Sequence, residues 1–240
     1  MSVLSKPYFH DEAAAFEHVE AMLWPEGPVC PHCGSVAKPY KLTGVRSKAS
    51  KKNPEGVERH GLYKCRDCRA QFTVRIGTIF EESHLPLHIW LQAIHLMCSS
   101  KKGISAHQLH RVLECTYKTA WFLEHRIREA MRLPLEDQGA LGGNGMAVEL
   151  DDHSADEYVR GDAYTNTVEG VFSILKRGIT GTFHHVSQQH LHRYLAEFDF
   201  RYNNRTALGV EDQKRATRAL EGVKGKRLTY RRPDGETNLI

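Results

Sequence analysis

Cys30-Pro31-His32-Cys33 and Cys65-Arg66-Asp67-Cys68 are the two short stretches on which the reading of this chain turns. Each sets two thiols three residues apart. Together they offer four thiolates that can close a tetrahedral zinc site with no open position for water. Two other uses of the pattern compete. A disulfide framework calls for an oxidising compartment, and Met1 to Pro7 has no apolar core of the kind a secretion leader carries. A redox C-x-x-C would account for one pair and not both, and no strand–helix context of the thioredoxin kind surrounds either. The double knuckle therefore points to structural zinc, with Cys30, Cys33, Cys65 and Cys68 as its ligands. His32, inside the first knuckle, is expected at the surface. Cys98 and Cys115 lack a partner motif and are expected as buried apolar residues.

The flanks extend this reading outward. Gly34 follows the first knuckle, where a tight turn needs backbone freedom. Tyr63-Lys64-Cys65 leads into the second knuckle and Gln71-Phe72-Thr73-Val74-Arg75 leaves it. Both are aromatic or β-branched and alternating, so both are expected as short strands. The insert between the knuckles is long. Its middle, Arg46 to Glu58, is basic and carries Asn53, Pro54 and Gly56, the composition of an exposed loop or hairpin tip. A zinc β-ribbon over residues 1–82 is the expected N-terminal unit.

From Leu85 to Leu133 the pattern is helical. Pro86 suits a first helical turn, and Leu87, Trp90, Leu91, Ile94 and Met97 or Cys98 form one apolar stripe. Lys101-Lys102-Gly103 ends that helix. Ser105 then serves as N-cap for a short helix through Val112 and Leu113. A turn at Glu114-Cys115-Thr116 leads to a helix from Tyr117 to about Met131. Its expected buried face is Ala120, Leu123, Ile127 and Met131, and its expected open face Lys118, His125, Arg126, Arg128 and Arg132. Two helices joined by a short turn, the second basic and hydroxyl-bearing at its start, have the form of a helix-turn-helix, here over residues 83–135. Such a second helix enters the major groove of double-stranded DNA by its N-terminal end. That would bring Tyr117, Lys118 and Thr119 to the DNA, with Arg126 further along. Many helical hairpins bind nothing, so a solvated face stands as the alternative.

The 240 residues, 40% hydrophobic and 26% charged, fit a globular chain of one large or two small domains. The stretch Leu85 to Met97 is broken by His88, Gln92 and His95, so no membrane span is expected. A bacterial cytoplasmic location, on the nucleoid when DNA is bound, is the corresponding expectation. A net charge of +4 permits a nucleic-acid partner without arguing for one. Lys and Arg cluster at Arg46 to Lys52, Lys64 to Arg69, Arg126 to Arg132 and Lys214 to Arg232. Each run taken alone reads as solvated surface.

Trp24-Pro25 ahead of Cys30-Pro-His-Cys33-Gly34, then Tyr63-Lys-Cys-Arg-Asp-Cys68 and Phe72-Thr-Val-Arg-Ile-Gly-Thr-Ile-Phe80, resemble the zinc ribbon of a group of bacterial insertion-sequence transposases. Ser83-His-Leu-Pro-Leu87 with Trp90, and the run from Gly103-Ile-Ser-Ala106 through Tyr117-Lys-Thr-Ala-Trp121 to Ile127-Arg128, are similar to the helical region that follows it. Glu157-Tyr-Val-Arg-Gly161, Thr165-Asn-Thr-Val-Glu-Gly170, Leu175-Lys-Arg-Gly178, His190-Leu-His-Arg-Tyr194 and Glu197-Phe-Asp-Phe-Arg201 resemble the end of the group's catalytic domain. The resemblance implies a ribonuclease-H-like fold whose acidic residues hold two magnesium or manganese ions. These would activate water, and then a DNA 3′ hydroxyl, for attack on phosphodiesters. It also implies transposon terminal repeats as the DNA, and a homo-oligomer or a full-length transposase as protein partner.

Carried over residue by residue, the resemblance makes Asp151, in Val148-Glu-Leu-Asp-Asp152, the first catalytic acid. Members of the group vary between Asn and Glu at the last metal position, so Asn166 and Glu169 are both retained. Val168, Val171, Phe172 and Leu175 share one helical face, while Glu169, Ser173 and Lys176 share another. Glu169 could then hold a metal and Lys176, two turns on, a phosphate; a surface ion pair is the alternative. Yet Asp151 and Glu169 are only eighteen residues apart. Strands of about 5–6 residues each and their connections cannot fit a five-stranded sheet into that length. An internal deletion with its join near Asp151 to His153 is expected, removing the second acid and most of the central sheet. Magnesium or manganese would matter only if a catalytic site survives. The expected fold class is α+β: a zinc ribbon, a helix-turn-helix-like middle, a truncated ribonuclease-H-like α/β remnant over residues 145–208, and a charged segment over 209–240. Within the last, Glu211 to Val223 is expected as a charged helix and Lys224 to Ile240 as a basic tail. The expected function is that of a transposase by descent, catalytically defective. A zinc-dependent DNA-binding regulator, or an inhibitor of a full-length transposase, is the alternative.

Overall fold

Asp11 starts the first helix. Its carboxylate accepts the Ala14 amide at 2.7 Å, and α1, Glu12–Leu23, buries Ala15, Phe16 and Val19. The computed structural model describes residues 3–36, 39–51, 53–132, 159–160, 163–164 and 166–228. After α1 comes a three-stranded antiparallel sheet, β1 Tyr40–Leu42, β2 Leu62–Lys64 and β3 Gln71–Phe72, with β2 in the middle. Tyr40 is registered with Lys64, and Tyr63 with Phe72.

Thr73 to Arg75, expected as more strand, turn instead. The Ile76 amide bonds back to the Thr73 carbonyl and that of Thr78 to the Arg75 carbonyl, both at 3.2 Å. These turns swing Val74, Ile79 and Phe80 into the helical core. Burying a side chain of Val or Phe size contributes about 1.5–3 kcal/mol. A further ladder hydrogen bond contributes about 1 kcal/mol, so burial wins.

The helical body begins with α2, Leu87–Ser99. Pro86 precedes it and has no side-chain oxygen to offer as a cap. The carboxylate of Glu12 on α1 does that work, accepting the Leu87 and His88 amides at 2.8 and 3.1 Å. The stripe Leu87, Trp90, Leu91, Ile94, Met97 and Cys98 is buried. Cys115 is only half-buried. Ser105 caps α3, Ala106–Val112, through the Gln108 amide at 3.3 Å. Thr116 caps α4, Tyr117–Met131, through the Thr119 amide at 3.2 Å. The core face of α4 is the expected one: Ala120, Leu123, Ile127 and Met131 are buried.

Its open face is not. His125 and Arg128, expected in solvent, are both 0% exposed. The cause is α6, Leu191–Asn203, which packs on that flank and supplies Glu197 as partner for Arg128.

The rest of the C-terminal half supplies a two-stranded hairpin, β4 Val159–Arg160 with β5 Ala163–Tyr164. It also supplies α5, Asn166–Gly178, which passes into a π-helical turn at Ile179–Phe183. On α5, Phe172 is 62% exposed. The charged helix expected from Glu211 onward is α7, Asp212–Glu221. It buries Ala219 and Leu220 in the main core, joined by Val223 just beyond its end. Its Arg215 donates to the Cys98 carbonyl at the end of α2, at 2.7 Å.

The basic tail expected from Lys224 is tied down as far as it is described. The Gly225 amide donates to the Gly77 carbonyl at 2.8 Å. Lys226 Nζ donates to the Ala130 carbonyl of α4 at 3.1 Å, and Arg227 pairs with Glu82 at 2.8 Å. Among the described residues no helix is long and apolar enough to cross a membrane.

Candidate metal centre and nucleic-acid interface

Two tight turns build the first site. In the first knuckle the Gly34 amide donates to the Cys30 carbonyl at 2.9 Å and the Cys30 amide to the Ser35 carbonyl at 3.0 Å. In the second, the Cys65 amide donates to the Ala70 carbonyl at 3.0 Å. Gly34 and Arg69, each four residues after the first cysteine of its knuckle, sit at φ +72° and +60°. Ser35 Oγ donates to Asp67, tying one knuckle to the other. The indole of Trp24 meets Tyr63 and Phe72 edge-on at 5.6 and 5.9 Å, which walls the buried side with aromatic surface. Tyr63 donates its hydroxyl to Glu20 at 2.8 Å. Burial, and then Glu20 beside it, raise the Tyr63 phenol above its usual value.

The four sulfurs converge. Cys30 Sγ lies 3.6 Å from Cys68 Sγ and Cys33 Sγ 3.7 Å from Cys65 Sγ, and all four lie within 4.8 Å of one another. A tetrahedron with zinc–sulfur bonds of about 2.3 Å has edges of about 3.8 Å, so the donor set fits zinc. Cys30 and Cys65 are buried, Cys33 and Cys68 exposed; His32 is exposed beside them. The thiols are electrostatically unequal. Burial opposes charge on Cys30, but the His32 and Cys33 amides and two neighbouring sulfurs bring it down to about 7. The Ser35 amide pulls Cys33 down, while burial and three neighbouring sulfurs push it up to about 12. Four sulfurs this close cannot all ionise without a cation between them.

The second surface is the start of α4. Tyr117 is 46% exposed, Lys118 is exposed and Thr119 half-buried. His107 of α3 stacks on the Tyr117 ring at 4.4 Å, so the first turn of α4 carries a fixed aromatic pair beside Lys118. The turn between the helices places Glu114 at φ +50°. Arg126 is placed differently from these three. Its Nε donates to the Leu228 carbonyl at 2.9 Å, and its Nη1 to the Ile79 and Glu81 carbonyls at 3.0 and 2.9 Å. It fastens the C-terminal segment and the ribbon exit to α4.

Sequence reasoning missed the buried charge cluster behind this surface. Arg128 Nε lies 2.6 Å from Glu197 and its Nη2 3.3 Å from Glu124. Arg201 also pairs with Glu197, and the Arg128 guanidinium lies 3.9 Å over the Tyr194 ring. Burial raises the Glu124 carboxyl to about 8, against the pull of Arg128. Burial would raise Glu197 too, but Arg201 and Arg128 hold it below the usual carboxylate range. The legible signal was the four-residue spacing of Glu124 and Arg128; their burial was not legible.

The residues expected to be catalytic are less assembled. Asp151 lies outside the described residues. Asn166 opens α5, Glu169 is exposed in its first turn and Lys176 is exposed in its last. Seven residues of helix separate the last two by about 10 Å along the axis. Among the described residues, the four cysteines are the group that converges as metal ligands.

Residues 10–71 match the transposase zinc-ribbon domain, and residues 139–203 match the ISXO2-like transposase domain. An uncharacterized protein in transposable element ISH50 of Halobacterium salinarum is 26% identical over 132 residues, covering 52% of this chain and 38% of that protein. The match thus spans less than half the length of that relative. No solved structure matches the chain.

Proposed function

The chain belongs to the insertion-sequence transposases, and we propose that it is a zinc-dependent binder of double-stranded DNA whose catalytic part is incomplete. The observation that carries the DNA reading is the first turn of α4. Tyr117 and Lys118 stand in solvent there on a helix whose remaining turns are locked in the core. That is the presentation a major-groove helix needs. We assign Tyr117, Lys118 and Thr119 to DNA and Arg126 to holding their helix in place. Cys30, Cys33, Cys65 and Cys68 hold structural zinc, which supplies a fixed cross-link between the knuckles.

The proposed organisation is a ribbon over residues 1–82, a reading unit over 83–135 and a ribonuclease-H-like remnant over 145–208. The described part of 209–240 is bound back onto the first two. The spacing of eighteen positions from Asp151 to Glu169 supports the loss of the central acid. The proposed DNA is a transposon terminal repeat, and a full-length transposase or a second copy of the chain is the proposed protein partner.

The test is incubation of the zinc-loaded chain with a labelled terminal-repeat duplex, with and without Mg²⁺ or Mn²⁺. Retardation of the duplex without strand cleavage is expected, with Lys118→Gln weakening it. Cleavage that disappears in Glu169→Ala would overturn the catalytically incomplete reading. Absence of retardation at low salt would overturn DNA binding.

A further inference from the structure

The insert between the two knuckles is a built arm, and the DNA reading of α4 leaves it unused. Arg46 bridges Glu58 across the two sides of the insert. Outside that bridge the Arg59 amide donates to the Val45 carbonyl at 2.8 Å, and inside it the Ser47 amide donates to the Val57 carbonyl at 2.8 Å. The Arg46 guanidinium crosses the arm to the Glu55 and Gly56 carbonyls at 2.9 and 3.1 Å. At the tip, Ser50 and Asn53 exchange backbone hydrogen bonds at 3.0 and 3.1 Å.

From Arg46 to Arg59 every described residue is exposed except Gly56. The arm therefore buries almost no apolar surface to offset ordering of its backbone, at about 1 kcal/mol per residue. Its own hydrogen bonds hold it in one shape. Gly56 shows how closely that shape is set: it sits at φ +69°, and a Cβ there would lie 2.2 Å from the Ser47 carbonyl oxygen.

Charge says what the shape is for. Between Val45 and Arg59 there are five basic residues, Arg46, Lys48, Lys51, Lys52 and Arg59, and two acids, Glu55 and Glu58, so 5 − 2 = +3 of the whole chain's +4. Arg46 is committed to the arm's own carbonyls. Lys48 and Lys51 are exposed, and among the described ion pairs neither has an acidic partner. A projecting, pre-shaped hairpin carrying unneutralised lysines fits a polyanion of regular charge spacing, which is the phosphate backbone of duplex DNA.

We propose that the arm Val45–Arg59 is a second DNA-contacting element, with Lys48 and Lys51 on backbone phosphates. This rests on the DNA-binding reading of the chain and extends it to a surface apart from α4. Phosphate contacts of this kind hold the protein in register without reading sequence.

The experiment is fluorescence anisotropy of the full, zinc-loaded chain on a mixed-sequence duplex over a salt series. Each phosphate contact contributes about 0.9 to the slope of log affinity against log salt. The double variant Lys48→Gln/Lys51→Gln should therefore bind with a slope shallower by about 1.8, with thermal unfolding unchanged. Gly56→Ala keeps both lysines but breaks the arm's shape, and should weaken binding in the same series. An unchanged slope and affinity in the lysine variant overturns the arm and leaves the α4 reading standing. A parent chain whose duplex binding shows no salt dependence overturns both. Equal binding of poly-glutamate and duplex by the parent, lost alike in the lysine variant, overturns the DNA assignment in favour of an acidic protein partner.

Discussion

Two residues at equivalent places in the knuckles ask the same thing of different side chains. Gly34 at φ +72° and Arg69 at φ +60° both turn the chain back over the sulfurs. For a residue with a Cβ the left-handed region costs about 1–2 kcal/mol, and for glycine it does not. A Cβ on Gly34 would meet nothing within 4 Å, so the cost of Gly34→Ala is conformational, about 1 kcal/mol. Arg69 already bears that strain while its side chain is exposed. Arg69→Gly should therefore stabilise, by roughly 0.5–1 kcal/mol after the greater entropy of glycine in the unfolded chain is subtracted. Denaturant unfolding of the zinc-loaded variants checks the opposite signs; equal destabilisation by both would refute the strain account. The glycine was legible in the sequence as a turn residue. The arginine was not, because its type does not announce a positive φ.

At the scale of elements, α2 depends on a cap from outside itself. The Leu87 and His88 amides both end on Glu12, and His88 Nδ1 lies 2.9 Å from the same carboxylate. Glu12→Ala leaves these donors to water and should cost about 1–2 kcal/mol. Hydrogen exchange should show it first as faster exchange at the start of α2. Unchanged exchange there would mean that the cap contributes nothing. The same helix shows how far local patterns carry. Its stripe, the cap Ser105 and the limits of α4 were legible, because spacing and cap chemistry act within a few residues. Glu12 as the cap was not, since 75 residues separate it from Leu87. Likewise the flank of α4 read as open is closed by Glu197, 69 residues away from Arg128. An arginine on a helix face looks solvated until its acid is placed. The four cysteines stand at the other extreme: their spacing already carried their geometry, and the structure adds only the aromatic wall and the inequality of the thiols.

For the molecule as a whole, α4 is the wall shared by its own exposed first turn at Tyr117 and Lys118 and by α6, and the charge cluster on it couples folding to pH. In the unfolded chain Glu124 ionises near the ordinary glutamate value of about 4.3; folded, it keeps its proton up to about 8. Between those values the folded chain binds the extra proton, so this contribution to stability falls as pH rises. It is complete below the lower value and gone above about 8. Glu197 works in the other direction. Arg201 and Arg128 hold its carboxyl low, so its contribution is present above the ordinary carboxylate range and lost in acid. Loss of zinc in acid also removes folding free energy, so a single melting curve against pH would mix three effects. Glu124→Gln separates them, since the amide keeps the neutral form at every pH and shares all other titrations with the parent. Relative to the parent, the variant should gain stability from about pH 5 to about pH 9, on the order of a few kcal/mol. Parallel curves for the two chains across that range would mean that Glu124 is ionised in the fold. The quartet would then be two full ion pairs, and the junction between α4 and α6 would carry no pH dependence of this sign.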